Sequence, residues 1–279
     1  MNYNKTLEDS VKNTDLSSLR IAQITLKVSN IGNISDLEQQ KFWEIMNDFH
    51  FLILDCEPSD NPRENILALT NLLGPVKWHK RSEEDGIVPV RYIPNSPGYL
   101  DTTNDIAPMH TDGSFEIEPP KMLALQCEVP SQNGGLSQIV HAESIYDYLA
   151  KNYPQELQSL FDNEAFYIER GDQIATHAIF KVENNKVRMI FRSETADASI
   201  EIKEAVKNAF YLIKEYVNDP KNQLTFKLQA NQILVIDNTC IFHGRSAYAT
   251  DEPRRLNKLW FSGKSTYPYG FQLGFTPKS

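Results

Sequence analysis

The sequence predicts an α+β protein: a β-sandwich or jelly roll carrying a flanking helical scaffold. Three observations predict it. From residue 121 onward, short apolar and β-branched runs are separated by turn signals. The helical patterns suit one end of such a β core better than a regular strand–helix alternation. The 279 residues contain no internal repeat or low-complexity tract, and sandwiches and barrels of this length often form a single domain.

Taken in order, residues 1–18 read as a flexible lead-in and residues 19–279 as one domain. Ser35-Asp36-Leu37-Glu38 has the pattern of a capping box. Phe42, Trp43, Ile45 and Met46 then supply an apolar face, so a helix is expected over 36–49. Phe51 to Leu54 reads as a buried strand. A second helix is expected from Pro62 to Leu73, stopped by Gly74. Residues 74–103 are rich in Pro, Gly and charge, with one strand-like piece at Ile87 to Ile93, and have the character of a lid or binding loop. Met122 to Cys127 and Leu136 to Val140 flank a turn at Pro130 to Gly135. Helices are expected at 143–150 and 155–161. Asn184-Asn185 marks a hairpin between Ala178–Val182 and Val187–Phe191. Ile202, Val206, Phe210 and Ile213 fall in helical register, so Ile200 to Val217 reads as an amphipathic helix. Strands are expected at Gln223–Leu228, Gln232–Asp237 and Leu256–Phe261.

Composition narrows the class. Apolar residues make up 41% and charged residues 23%, ordinary values for a chain with a packed core. A formal charge of −9 argues against nucleic acid, whose phosphates need a surplus of cations. A small anionic substrate remains compatible, because a few buried arginines can reverse the field locally. Three cysteines, Cys56, Cys127 and Cys240, have no close spacing that would mark a disulfide framework or zinc knuckle. The polar, acidic N-terminus has no apolar stretch of the signal-peptide kind, and no run approaches a membrane span. The expectation is a cytoplasmic protein that acts on a small molecule, with no membrane or nucleic-acid partner; a homo-oligomer is compatible with it.

The most informative run is Pro108-Met109-His110-Thr111-Asp112-Gly113. On an extended segment, residues i and i+2 share a face, so His110 and Asp112 can meet one metal ion. His243 stands beside Gly244, just after the apolar strand that ends in Asp237-Asn238, where a side chain can face a cavity. Two imidazoles and one carboxylate leave three coordination positions open, the arrangement suited to non-haem Fe(II) and O2. Arg254 and Arg255 follow at the mouth of the last strand, where a guanidinium could grip a carboxylate in bidentate fashion; Arg254 reads as an exposed arginine after a Pro turn.

These pieces resemble the TauD/TfdA family of Fe(II)/2-oxoglutarate-dependent enzymes over roughly residues 70 to 262. The resemblance runs through His110-Thr111-Asp112, Pro119-Pro120, Leu123 to Val129, Gly134-Gly135-Leu136-Ser137, Ile236-Asp237-Asn238, Phe242-His243-Gly244-Arg245 and Arg254-Arg255-Leu256. The His-Gly-Arg run also looks like the γ-butyrobetaine-hydroxylase branch. The resemblance implies a double-stranded β-helix core, with His110, Asp112 and His243 as iron ligands. It implies Arg255 as the partner of the distal 2-oxoglutarate carboxylate, with Ser137 where the family carries a Thr. It matches His79 to a substrate-side histidine and puts the position of the family's sulfonate-gripping Arg at Leu259, which argues against taurine as substrate. Asp112 stands where related halogenases carry Gly or Ala, which disfavours halogenation.

The implied enzyme is a dioxygenase using Fe(II), 2-oxoglutarate and O2. It would activate a C–H bond of a small carboxylate or amino-acid-derived metabolite by hydroxylation, desaturation or oxidative decarboxylation, releasing succinate and CO2. Arg192 and Phe191, with Tyr92 and His79, are the expected substrate-facing residues. The competing readings are a non-catalytic metal- or ligand-binding jelly-roll protein, which gives Arg255 and Ser137 no reason to converge on the metal, and a zinc hydrolase that needs no O2.

Overall fold

The structure, a computed structural model, describes residues 19–96 and 98–277; the lead-in assigned to 1–18 lies outside the described residues. The first strand, β1 (Thr25–Val28), leads to helix α1 (Asp36–Phe49), whose start is fixed by the expected box: Glu38 donates its N–H to Ser35 and its carboxylate accepts from the Ser35 N–H. After β2 (Phe51–Cys56), the expected second helix is two short pieces, α2 (Arg63–Ala68) and α3 (Thr70–Leu73), ended by Gly74 at φ 104°. A long irregular segment holds only β3 (Val88–Val90) before β4 (Ala107–His110), β5 (Met122–Val129) and β6 (Ser137–His141). Helices α4 (Ala142–Asn152) and α5 (Pro154–Ser159) come next.

Four strands then form two small units: β7 (Phe166–Arg170) with β8 (Gln173–His177), and the hairpin β9 (Phe180–Glu183) and β10 (Lys186–Met189). Asn184 and Asn185 have φ of 54° and 60°, the left-handed pair that a two-residue hairpin turn requires. The chain continues through β11 (Ser199–Ile202), α6 (Lys207–Asn218), β12 (Leu224–Phe226), β13 (Gln232–Asp237), β14 (Ile241–Arg245) and β15 (Arg255–Phe261). The amphipathic helix expected over 200–217 therefore begins late. Ile200 and Ile202 alternate with Glu201 and pair with β7 as strand β11, so a period-two pattern with a sheet edge to join displaced the first turns of the helix.

Two larger sheets carry the architecture. A six-stranded sheet runs β1-β2-β13-β5-β15-β3, antiparallel except for β1 beside β2. A four-stranded antiparallel sheet runs β12-β6-β14-β4. The six-stranded sheet is apolar on both faces, and alternation sorts its residues. Leu52, Leu54, Ile233, Val235, Leu259 and Phe261 pack with Phe42, Trp43, Met46 and Leu69 of the helical layer. Phe51, Ile53, Leu123, Leu234 and Ile236 belong to a second core that they share with Ile139 and Ile241 of the four-stranded sheet. The outward Phe242 packs on Phe191, which stacks on Phe210 of α6. The molecule is thus a helix–sheet–sheet–helix stack in which residues of β4, β6, β14 and β15 line a cavity.

Candidate metal centre

His110 ends β4, and its Cα lies opposite that of His243 in β14, so the two side chains leave the sheet on one face; their ring centroids are 4.4 Å apart. Gly244 permits this pairing, since a Cβ there would stand 2.7 Å from Met109 Sδ and 2.9 Å from the Ala107 carbonyl oxygen. Asp112 follows just beyond the strand. Its backbone is clamped by Asn238, whose Oδ1 accepts the Asp112 N–H at 2.8 Å and whose Nδ2 donates to the Asp112 carbonyl at 3.0 Å. Between them Thr111 pairs with the Phe191 backbone through its own N–H and hydroxyl. Asn238, at the end of the apolar strand, is therefore what fixes the second half of the His-x-Asp pair.

The three donors converge. The ligand atoms of His110, Asp112 and His243 all lie within 4.8 Å of one another, and all three residues are buried. Asp112 Oδ1 is 3.2 Å from His110 Nε2 and 3.8 Å from His243 Nε2. His110 Nδ1 donates to the Pro108 carbonyl at 2.8 Å, which leaves the lone pair on Nε2, the nitrogen facing the carboxylate. Burial, and then the neighbouring His243, push the His110 pKa down to about 4, so the ring is neutral near pH 7. Burial would raise Asp112, but opposing interactions led by the Lys258 ammonium hold the carboxyl well below its usual range. Asp112 Oδ2 accepts from Trp260 Nε1 at 2.7 Å and faces Lys258 Nζ at 3.1 Å. Two imidazoles and one ionised carboxylate, with no thiol among them, are a donor set that fits ferrous iron. A second buried trio, His50, His141 and Cys240, surrounds Asp237 instead. There Asp237 accepts from His50 Nδ1, Gly274 N–H, the Cys240 thiol and Thr239, a hydrogen-bonded hub in the core that does not line the cavity.

The cavity holding the triad lies between the two sheets, with Val90, Leu125 and Leu256 from one and Ala107, Ser137 and Gly244 from the other. It corrects the expected anchor. Arg255 points outward and pairs with Glu128, while Arg254 is buried and lines the cavity together with Ser137. Strand parity is the reason: Arg254, Leu256, Lys258 and Trp260 share the inner face of β15, and Arg255, Asn257 and Leu259 do not. Arg254 Nη1 is buried without a partner, and its guanidinium stands 5.2 Å from the Tyr248 ring. Leu259 is fully buried against the helical layer.

The expected substrate residues divide. His79 and Arg192 line the cavity. Phe191 does not: it is fully buried in the core against Phe210 and Phe242. Tyr92, half-buried, is not among the lining residues either. Two groups, Arg170 and Asp197, had no sequence signal of their own. Arg170 ends β7, a strand the pattern missed, and Asp197 comes from the loop before β11. Arg245 donates to the carbonyls of Leu100, Thr103 and Asp105, and so pins the irregular segment over the site.

A buried His-Asp-His triad between two facing sheets is a candidate mononuclear 2-His-1-carboxylate site. The family described as taurine catabolism dioxygenase TauD, TfdA matches residues 12–260, and the chain belongs to that family. Its cofactors are those of the family, Fe(II) and 2-oxoglutarate. Among relatives, FR-33289 synthase of Streptomyces rubellomurinus is 28% identical over 178 residues, 57% of this chain and 50% of that protein. Gamma-butyrobetaine dioxygenase of Homo sapiens is 28% identical over 151 residues, 50% of this chain and 39% of that protein. The chain thus spans half or less of the length of these two relatives. In fold it is similar to an asparagine oxygenase crystallised with Fe(II), 2S,3S-3-hydroxyasparagine and succinate, at TM-score 0.63 and 12% identity, covering 85% of this chain and 93% of the other. It is similar also to the non-heme iron oxygenase OrfP with Fe, succinate and (3S)-hydroxy-L-Arg, at TM-score 0.64 and 12% identity, covering 84% and 82%. Among the described residues no helix is long and apolar enough to cross a membrane.

Proposed function

We propose that this chain is an Fe(II)- and 2-oxoglutarate-dependent oxygenase that oxidises a C–H bond of a small carboxylate or amino-acid-derived metabolite. It does so in a single domain over 19–279 whose two facing sheets form a double-stranded β-helix. One observation carries the reading: the three metal-donor residues and Arg254, which keeps a buried Nη1 without a partner, line the same cavity.

Each residue has a task. His110 Nε2, His243 Nε2 and Asp112 Oδ1 would hold the iron. Trp260 and Lys258 occupy Asp112 Oδ2, so the carboxylate offers one oxygen to the metal. Arg254 and the Ser137 hydroxyl bind the distal carboxylate of 2-oxoglutarate, where Arg254 is backed by the Tyr248 ring. Iron and 2-oxoglutarate, when bound, supply the oxidising chemistry: O2 is consumed, 2-oxoglutarate leaves as succinate and CO2, and the substrate C–H bond is oxidised. Val90, Leu125 and Leu256 keep bulk water from that centre. His79, Arg192 and Lys258 face the remaining space and orient the substrate. The amino-acid products in the asparagine oxygenase and OrfP complexes support a substrate of similar size. The test is O2-dependent conversion of 2-oxoglutarate to succinate, measured with Fe(II) over a panel of small carboxylates and amino-acid derivatives with product masses read alongside. Turnover with at least one member, a mass gain of one oxygen or loss of two hydrogens or CO2, and none with Zn(II), is expected. Activity with Zn(II) and without O2 would refute it.

A further inference from the structure

The cavity is strongly cationic in a protein of net charge −9. Six Arg and Lys side chains line it against three Asp, leaving three positive charges in excess. On the oxygenase reading, on which this inference rests, ferrous iron and the 2-oxoglutarate dianion cancel one another. One excess cation, Arg245, is turned to three backbone carbonyls, which accept its hydrogen bonds without neutralising its charge and hold it to the covering segment. The other two excess positive charges are left for the substrate, and in a buried site uncompensated charges are costly.

Their location is defined. Arg170 and Arg192 are bridged by Asp197, at 2.9 Å to Arg170 Nε and 3.0 Å to Arg192 Nη2. Arg81 pairs with Asp101, and the Tyr99 ring lies between the Arg81 and Arg170 guanidinia at 4.0 Å and 4.8 Å. These carboxylates and rings orient the three guanidinia without satisfying them: Arg81 Nε, Arg81 Nη1 and Arg192 Nε are buried and unpartnered. His79 adds a fourth donor. Burial, and then Lys258, Arg81 and Arg170, push its pKa down to about 3, so the ring is neutral. Its Nδ1 accepts the Arg81 backbone N–H at 3.0 Å, which puts the ring proton on Nε2. That N–H faces Arg170 Nη1 at 3.4 Å, two donors side by side with no acceptor between them. An anionic oxygen is the group that would bridge them.

We propose that the wall formed by Arg81, Arg170, Arg192 and His79 is the seat of a substrate head group carrying two negative charges on clustered oxygens, either a phosphate or phosphonate dianion or a pair of carboxylates. The substrate C–H bond would then be held between this wall and the iron. Titration calorimetry on the anaerobic Fe(II)- and 2-oxoglutarate-saturated protein tests it, with inorganic phosphate, malonate, acetate and methanesulfonate as probes at fixed ionic strength and pH 8. Phosphate or malonate should bind about tenfold tighter than either monoanion, as one additional charged hydrogen bond implies. Whichever dianion is stronger identifies the tetrahedral or the paired-carboxylate form. Arg170→Met should weaken that probe by about tenfold or more, and Arg81→Gln, a change at a half-exposed position that spares the Asp197 bridge, by several-fold. The visible band of the iron–keto-acid chelate should keep its intensity in both variants. Equal binding of monoanions, no binding of either dianion, or unchanged affinity in both variants would overturn the proposal. Absence of the chelate band in the unaltered protein would instead remove the oxygenase reading, and calorimetry on the same sample would still report the anion preference.

Discussion

Arg254 lines the cavity and keeps a buried Nη1 without a partner, whereas its neighbour Arg255 is half exposed on Glu128. A bidentate charged pair in a buried site contributes about 2–3 kcal/mol and an exposed ion pair less than about 1. Arg254→Met should therefore raise the dissociation constant of 2-oxoglutarate by about 30-fold or more, while Arg255→Met should change it by less than about fivefold. Calorimetry on the Mn(II)-loaded protein reads both, and the reverse order would return the anchor to Arg255. The sequence could not distinguish the pair by residue type, because two adjacent arginines are chemically alike. Strand parity could have done so: a Lys at 258 within an otherwise apolar inner row is the signal that the row faces a polar site, and Arg254 belongs to that row. His110 and Asp112 were legible because i and i+2 share a face by backbone geometry alone. His243 was legible from its position beside Gly at the end of an apolar strand. Phe191 and Tyr92 were not, since nothing local tells a ring that fills a core from one that lines a pocket.

At the level of elements, the pairing of β14 with β4 holds the two histidines opposite each other. Gly244 sits where the strands approach most closely, and any side chain there must push Met109 or the Ala107 carbonyl aside. Gly244→Ala should lose about 1–3 kcal/mol of stability by overpacking. It should also lower iron affinity, because His110 shifts with its strand. Denaturant unfolding and Fe(II) titration check this together, and an unchanged midpoint with unchanged affinity would contradict it. Elements with strong local signatures were readable: α1 by its capping box, the β9–β10 hairpin by Asn184-Asn185, and β13 by its continuous apolar run. The three-stranded unit β11-β7-β8 was not, because its strands are short and partly exposed and their identity depends on partners far along the chain. That unit and its flanking loops carry Arg170 and Asp197, which is why much of the substrate wall was invisible in the sequence.

Across the whole molecule, an acidic exterior surrounds a cationic cavity. The net charge of −9 disfavours nucleic acid, while the cationic cavity suits the small anion proposed above; both follow once charge is resolved by position rather than summed. The two sheets give the cavity its walls, the irregular segment pinned by Arg245 covers it, and the helical layer buries the opposite face of the larger sheet. The proposed function depends on one iron ion held by His110, Asp112 and His243 with 2-oxoglutarate beside it. The most direct measurement is the visible absorption spectrum of the protein titrated with Fe(II) and 2-oxoglutarate in the absence of O2. A chelate charge-transfer band that saturates at one iron per chain and is abolished by His243→Ala in a folded protein is the predicted result. No band in the unaltered protein, or one that persists undiminished in His243→Ala, would contradict it.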